Sequence, residues 1–73
     1  MKKEKVKMRK KQKRIKRKFK NKEIELDFSE RKTHYVWEEN DGTVHTNHGV
    51  RHKRLLAVAK HDPTTNEVEI EEL

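Results

Sequence analysis

A chain of 73 residues has room for one domain at most, and a hydrophobic share of 29% allows only a small core. Cysteine is absent, which removes disulfides and thiolate metal sites, and no apolar run reaches the roughly 18 residues of a membrane span. The net charge of +7 hides a sharp split: residues 1–22 carry 14 Lys/Arg against Glu4 alone, net +13, and residues 23–73 carry 6 against 12 acids, net −6.

The first block, residues 1–22, reads as a basic arm. A like-charge run this dense cannot pack against itself, so it stays disordered or meets a polyanion. Met1, Met8, Ile15 and Phe19 step by 7, 7 and 4, which puts them on one stripe of a helix. Lys, Arg, Gln and Met form helices well, but like charges at i,i+4 oppose the helix in isolation. The expectation is a helix induced by phosphates or by docking of Ile15 and Phe19 on the body. In this reading the arm is detachable, and removing residues 2–18 leaves the body folded.

From residue 23 the period changes to two. Ile24, Leu26 and Phe28 alternate with Glu23, Glu25 and Asp27, as in a half-buried strand. Thr33–Trp37 is rich in β-branched and aromatic residues. Asp41-Gly42 ends a four-residue turn, and Thr43–Thr46 returns as a strand. Residues 55–61 and 67–72 are expected to pair antiparallel across Asp62-Pro63-Thr64-Thr65-Asn66, where Pro63 presets φ and Asn66 takes the left-handed position. A short helical turn at 49–53 stays open. The outward acids of 23–27 and 67–72 would form one acidic patch if those strands were neighbours, and such a patch suits a cationic partner, the arm included.

The predicted fold is mainly β: a small five-stranded antiparallel barrel or bent sheet over residues 23–73, preceded by the basic N-terminal helix or arm. A helix followed by five strands resembles the Sm-like small-barrel architecture in element order, with OB and SH3-like barrels as near neighbours.

The arm points to nucleic acid, because closely spaced cations displace condensed counterions. It is mostly Lys, a point charge, whereas Arg reads guanine bidentately, so backbone contact with little sequence reading is expected. The candidate contacts are Lys7, Arg9, Lys10, Lys11, Lys13, Arg14, Lys16, Arg17, Lys18 and Lys20. A second cationic patch is expected at Arg51, His52, Lys53 and Arg54. Tyr35 and Trp37 share a strand face; Trp37 is assigned to the core, and Tyr35 can serve the core or stack on a base. His45, His48 and His52 could offer three imidazoles to zinc, but a strand and a turn do not fix their spacing, and no cofactor is expected. Ser29 is the only serine, and with two glycines no Gly-built phosphate loop exists, so no enzyme is expected. The positive N-terminus is followed by no apolar signal core, which favours an intracellular protein, cytoplasmic or nucleoid/nuclear, without a membrane partner. The alternative function is a small regulatory protein, of the kind phages encode. It would bind a partner such as a nucleic-acid enzyme through its acidic sheet face or an exposed edge.

Overall fold

The structure, a computed structural model, describes residues 2–46 and 54–73. Seven strands run in chain order: β1 (Lys2–Lys7), β2 (Arg14–Phe19), β3 (Lys22–Asp27), β4 (Thr33–Glu38), β5 (Val44–Thr46), β6 (Arg54–Asp62) and β7 (Glu67–Glu72). They form a five-stranded antiparallel sheet in the order β1-β7-β6-β4-β5 and a two-stranded sheet, β2-β3. Neither sheet closes into a barrel, and no helix occurs among the described residues. The mainly β expectation holds. The basic helix or arm does not, and with it goes the helix-plus-barrel likeness to Sm-like proteins.

The arm is instead two strands, and the reason is charge. Each basic strand lies beside an acidic one. In β1, Lys3, Lys5 and Lys7 stand opposite Glu71, Glu69 and Glu67 of β7. In β2, Arg14, Lys16 and Lys18 stand opposite Asp27, Glu25 and Glu23 of β3. A helix would have stacked these cations on each other at i,i+4; a ladder alternates them with carboxylates. The acidic strands β3 and β7 are not neighbours, so no continuous acidic face forms among the described residues. The arm itself is the cationic partner.

The turns follow local chemistry. β2 and β3 close through Lys20 and Asn21, both left-handed at φ 51° and 66°, the geometry of a two-residue type I′ hairpin. The expected join between arm and body, at residues 22 and 23, therefore falls inside this hairpin. Asn66 adopts φ 59° and closes the β6–β7 turn, where the Thr64 amide donates to Asp62 Oδ1 at 2.9 Å. Gly42, at φ 86°, ends the Glu39–Gly42 turn in a conformation that strains any residue with a Cβ.

The β2–β3 hairpin lies over one face of the larger sheet. Met8, Ile15, Phe19, Ile24, Leu26 and Phe28 pack against Val36, Val44, Ala57, Ala59, Val68 and Ile70. Met8, Ile15 and Phe19 of the arm are thus core residues, with Val6 packed against them, and Ile15 and Phe19 reach the core with the β alternation of Ile15, Arg17 and Phe19. Between β4 and β6 the register slips, Val36 facing Ala57 and Trp37 facing Leu55, so Leu56 is an extra, bulged residue. The Leu73 amide donates to its carbonyl at 2.9 Å. Trp37 is buried as expected, but on the other face, where its ring stacks on His45 at 4.9 Å. Tyr35 is 41% exposed.

Candidate nucleic-acid interface

Half of the predicted contacts stand opposite or against acids of the fold. Lys7, Lys16 and Lys18 are in register with Glu67, Glu25 and Glu23 across the ladders. Arg14 Nε donates to Asp27 Oδ2 at 3.1 Å, and Arg17 Nε to Glu4 Oε1 at 3.2 Å. Lys20 Nζ reaches Glu38 Oε1 at 3.2 Å, and an Arg54 guanidinium nitrogen lies 3.9 Å from the same oxygen. Arg51, His52 and Lys53 lie outside the described residues, as do His48 and Asn47. Lys20 and Arg54 meet at the hairpin-turn end of the sandwich, beside a cleft of about 410 Å³ that also takes in Lys18, Leu56 and Leu73.

Arg9, Lys10, Lys11 and Lys13 are different. They occupy the connection between β1 and β2, which contains no acid. A tight turn spans Arg9–Gln12: the Gln12 amide donates to the Arg9 carbonyl at 2.9 Å, and the Arg9 amide donates to Gln12 Oε1 at 3.0 Å. Gln12 Nε2 also donates to the Arg14 carbonyl at 2.9 Å. One glutamine side chain thus fixes the turn and leaves Lys10 and Lys11 exposed at its tip.

Three loops converge at this end. The Met8 amide donates to the Asn66 carbonyl at 3.0 Å, and Asn66 Nδ2 donates to the carbonyls of Met8 and Arg9 at 3.2 and 2.8 Å. The Phe28 amide donates to the Lys13 carbonyl, and the His61 amide to the Lys32 carbonyl, both at 2.8 Å. This brings in Arg31 and Lys32, which the sequence reading passed over. Their only signal was adjacency, since a basic dipeptide in a loop says nothing of its neighbours. The three connections hold six cations (Arg9, Lys10, Lys11, Lys13, Arg31, Lys32) against one acid, Glu30, with Asp62 at the adjoining end of β6.

Under these loops lies a small polar and aromatic cluster. Phe28 meets His34 edge-on with centroids 4.8 Å apart and lies 5.5 Å from His61. His34 Nε2 is 2.6 Å from the Asp27 carbonyl oxygen, which requires the proton on Nε2. The Asp27 carboxylate accepts from the Ser29 hydroxyl at 2.6 Å and the Ser29 amide at 2.9 Å. These two bonds hold its pKa below 3.8, and Arg14 adds to the effect.

Burial lowers the His34 pKa below 6.5, only partly offset by the bond to Asp27. The unfolded chain then binds the proton more readily than the folded one, so stability is complete above the unfolded value and falls as pH drops through 6.5. The melting temperature should decline between pH 7.5 and 5.5, and His34→Gln should flatten that decline even if it melts lower throughout. Parallel pH profiles for the two proteins would remove His34 as the cause.

Tyr35 is the one exposed aromatic residue on a described strand and stands beside Val58, Lys60, Glu69 and Glu71, a surface with two acids to one cation that offers a phosphate little. His45 is occupied by Trp37 and by Thr43 Oγ1, 2.7 Å from its Nε2. No cluster able to hold a metal ion occurs among the described residues, and no helix there is long and apolar enough to cross a membrane. Compared with family models, curated proteins and solved structures, the chain finds no match.

Proposed function

We propose that this is a non-enzymatic nucleic-acid-binding protein that grips the phosphate backbone with the Arg9–Lys13 loop, assisted by Arg31 and Lys32. The observation that carries the reading is the uneven use of the basic block. Its strand cations mostly stand opposite carboxylates, while Arg9, Lys10, Lys11 and Lys13 collect at one end of the sandwich in a connection that holds no acid. Cations that already face an acid on one side gain less from a phosphate than cations with none. Unmatched ones repel each other and gain most from a polyanion. Four of the six are lysines, which suits backbone contact rather than base reading.

The test is a salt titration. Replacing Arg9, Lys10, Lys11 and Lys13 by Gln should lower affinity for duplex and hairpin RNA alike and reduce the slope of log K against log salt by about 3 to 4. The melting temperature should change little, because none of the four side chains pairs with an acid across a ladder. An unchanged slope would end this reading. Replacing Lys3, Lys5 and Lys7 instead should lower stability more than affinity.

The alternative of a regulatory protein that binds another protein is favoured by a separate observation, the open edge of β1.

A further inference from the structure

β3 packs beside β5 at one side of the sandwich. On the other side β1 and β2 lie next to each other without a shared ladder, tied by the Arg17–Glu4 pair. This seam is bordered by strands from the basic block alone. β1 and β2 together carry Lys2, Lys3, Lys5, Lys7, Arg14, Lys16, Arg17 and Lys18 against the single acid Glu4. β1 is the outermost strand of its sheet, with β7 on one side and no strand on the other among the described residues. Five of its six residues are exposed, and Val6 is half-buried.

The side chains of β1 define what could lie alongside it. Lys3, Lys5 and Lys7 share one face, and each meets a glutamate on the β7 side only. A strand added on the open side would set its own alternate residues next to the same three lysines. A second copy of β1 would oppose lysine with lysine, which costs stability, so the edge rejects self-association. An acidic strand reverses the sign of that term. A cleft of about 370 Å³ lies beside the start of β1, lined by Lys2, Lys3, Glu4, Ile70 and Glu72. Ile70, nearly buried, is its one apolar lining residue. The chain already contains one segment of the complementary pattern: Glu67-Val68-Glu69-Ile70-Glu71 in β7, with acids toward the lysines and apolar residues inward.

We infer that β1 is an acceptor edge for an extended acidic segment of a protein partner, with carboxylates at alternate positions beside Lys3, Lys5 and Lys7 and an apolar side chain between them in the cleft over Ile70. This surface is separate from the Arg9–Lys13 loop, so the inference stands or falls independently of nucleic-acid binding.

The test is a titration of the full chain, followed by backbone amide NMR and hydrogen exchange. The probe is a blocked peptide of about six residues alternating Glu and Val; a Gln/Val peptide and a single-stranded oligonucleotide serve as comparisons. The Glu/Val peptide should shift and protect the amides of residues 2–7 and bind about tenfold more tightly than the Gln/Val peptide. Lys5→Gln should weaken it several-fold, and Lys10→Gln should not. Using the single Lys5 variant keeps the ladder to β7 largely intact. Any of three results would overturn the proposal: shifts confined to residues 9–13, equal affinity for the two peptides, or stronger protection of residues 2–7 by the oligonucleotide than by the acidic peptide. New exposure of β6 amides, the sign that the probe had displaced β7, would also count against it.

Discussion

Removing residues 2–18 is expected to abolish folding, so that neither a cooperative thermal transition nor dispersed amide resonances survive. The deletion takes away β1 and nearly all of β2. It strips Val6, Met8 and Ile15 from the core and leaves Phe19 without a strand. The acids of β3 and β7 then lose their cross-strand cations and face each other's field uncompensated. Burying a large apolar side chain contributes about 1.5–3 kcal/mol, and a chain of this size has a total stability of roughly 4–11 kcal/mol. The lost core residues alone come to most of that margin, and the loss of the β1–β7 and β2–β3 ladders removes the rest. A truncated protein that still melts cooperatively would show that the basic block is dispensable after all, and the charge-matched ladders would then be incidental.

A single substitution should come close to the same outcome. Leu26 is fully buried at the centre of the hairpin's inner face, between Ile15 across the ladder and the larger sheet beneath. Leu26→Ala opens a cavity where no loop can collapse to fill it, at a cost of about 3–5 kcal/mol. Urea unfolding at neutral pH should show a midpoint shifted far toward zero with an unchanged slope. Leu26→Met, which conserves volume, should cost less than about 1.5 kcal/mol. Equal losses for the two would mean that the site is not packed to the density described.

The body was legible in the sequence because its signals are local. Ile24, Leu26 and Phe28 alternate within five residues, and Pro63 and Asn66 sit where a tight turn needs them. The arm was misread because its decisive partners are remote. Lys5 becomes a strand residue by facing Glu69, 64 positions away, and no window of the chain contains both. A second mask was Arg17. It interrupts the inward alternation of Ile15 and Phe19, so the spacing of four reads as a helix; the ion pair to Glu4 and a bond to the Lys16 carbonyl make an inward arginine tolerable. The hairpin turn was hidden as well, since Lys20 is an unusual residue at φ 51° and Asn21 alone hints at it. The opposed charges of the two blocks were the one global clue that they belong together. At the site, the loop lysines were legible as cations but not as the unmatched ones, because matching is a property of the register.

The pairing of β1 with β7 has a consequence for the order in which the chain can fold. The strand made first has its partner made last, so one of the longest-range contacts closes the sheet. During synthesis β2 and β3 can form their hairpin early, but before β7 the chain holds no alternating acidic segment except β3 of that hairpin, whose acids β2 already faces. Mutual repulsion between β1 and β2 keeps the waiting segment extended and away from a wrong partner. Charge segregation along the sequence thus acts as a timer: the N-terminal strand is held in reserve until the glutamates of β7 arrive.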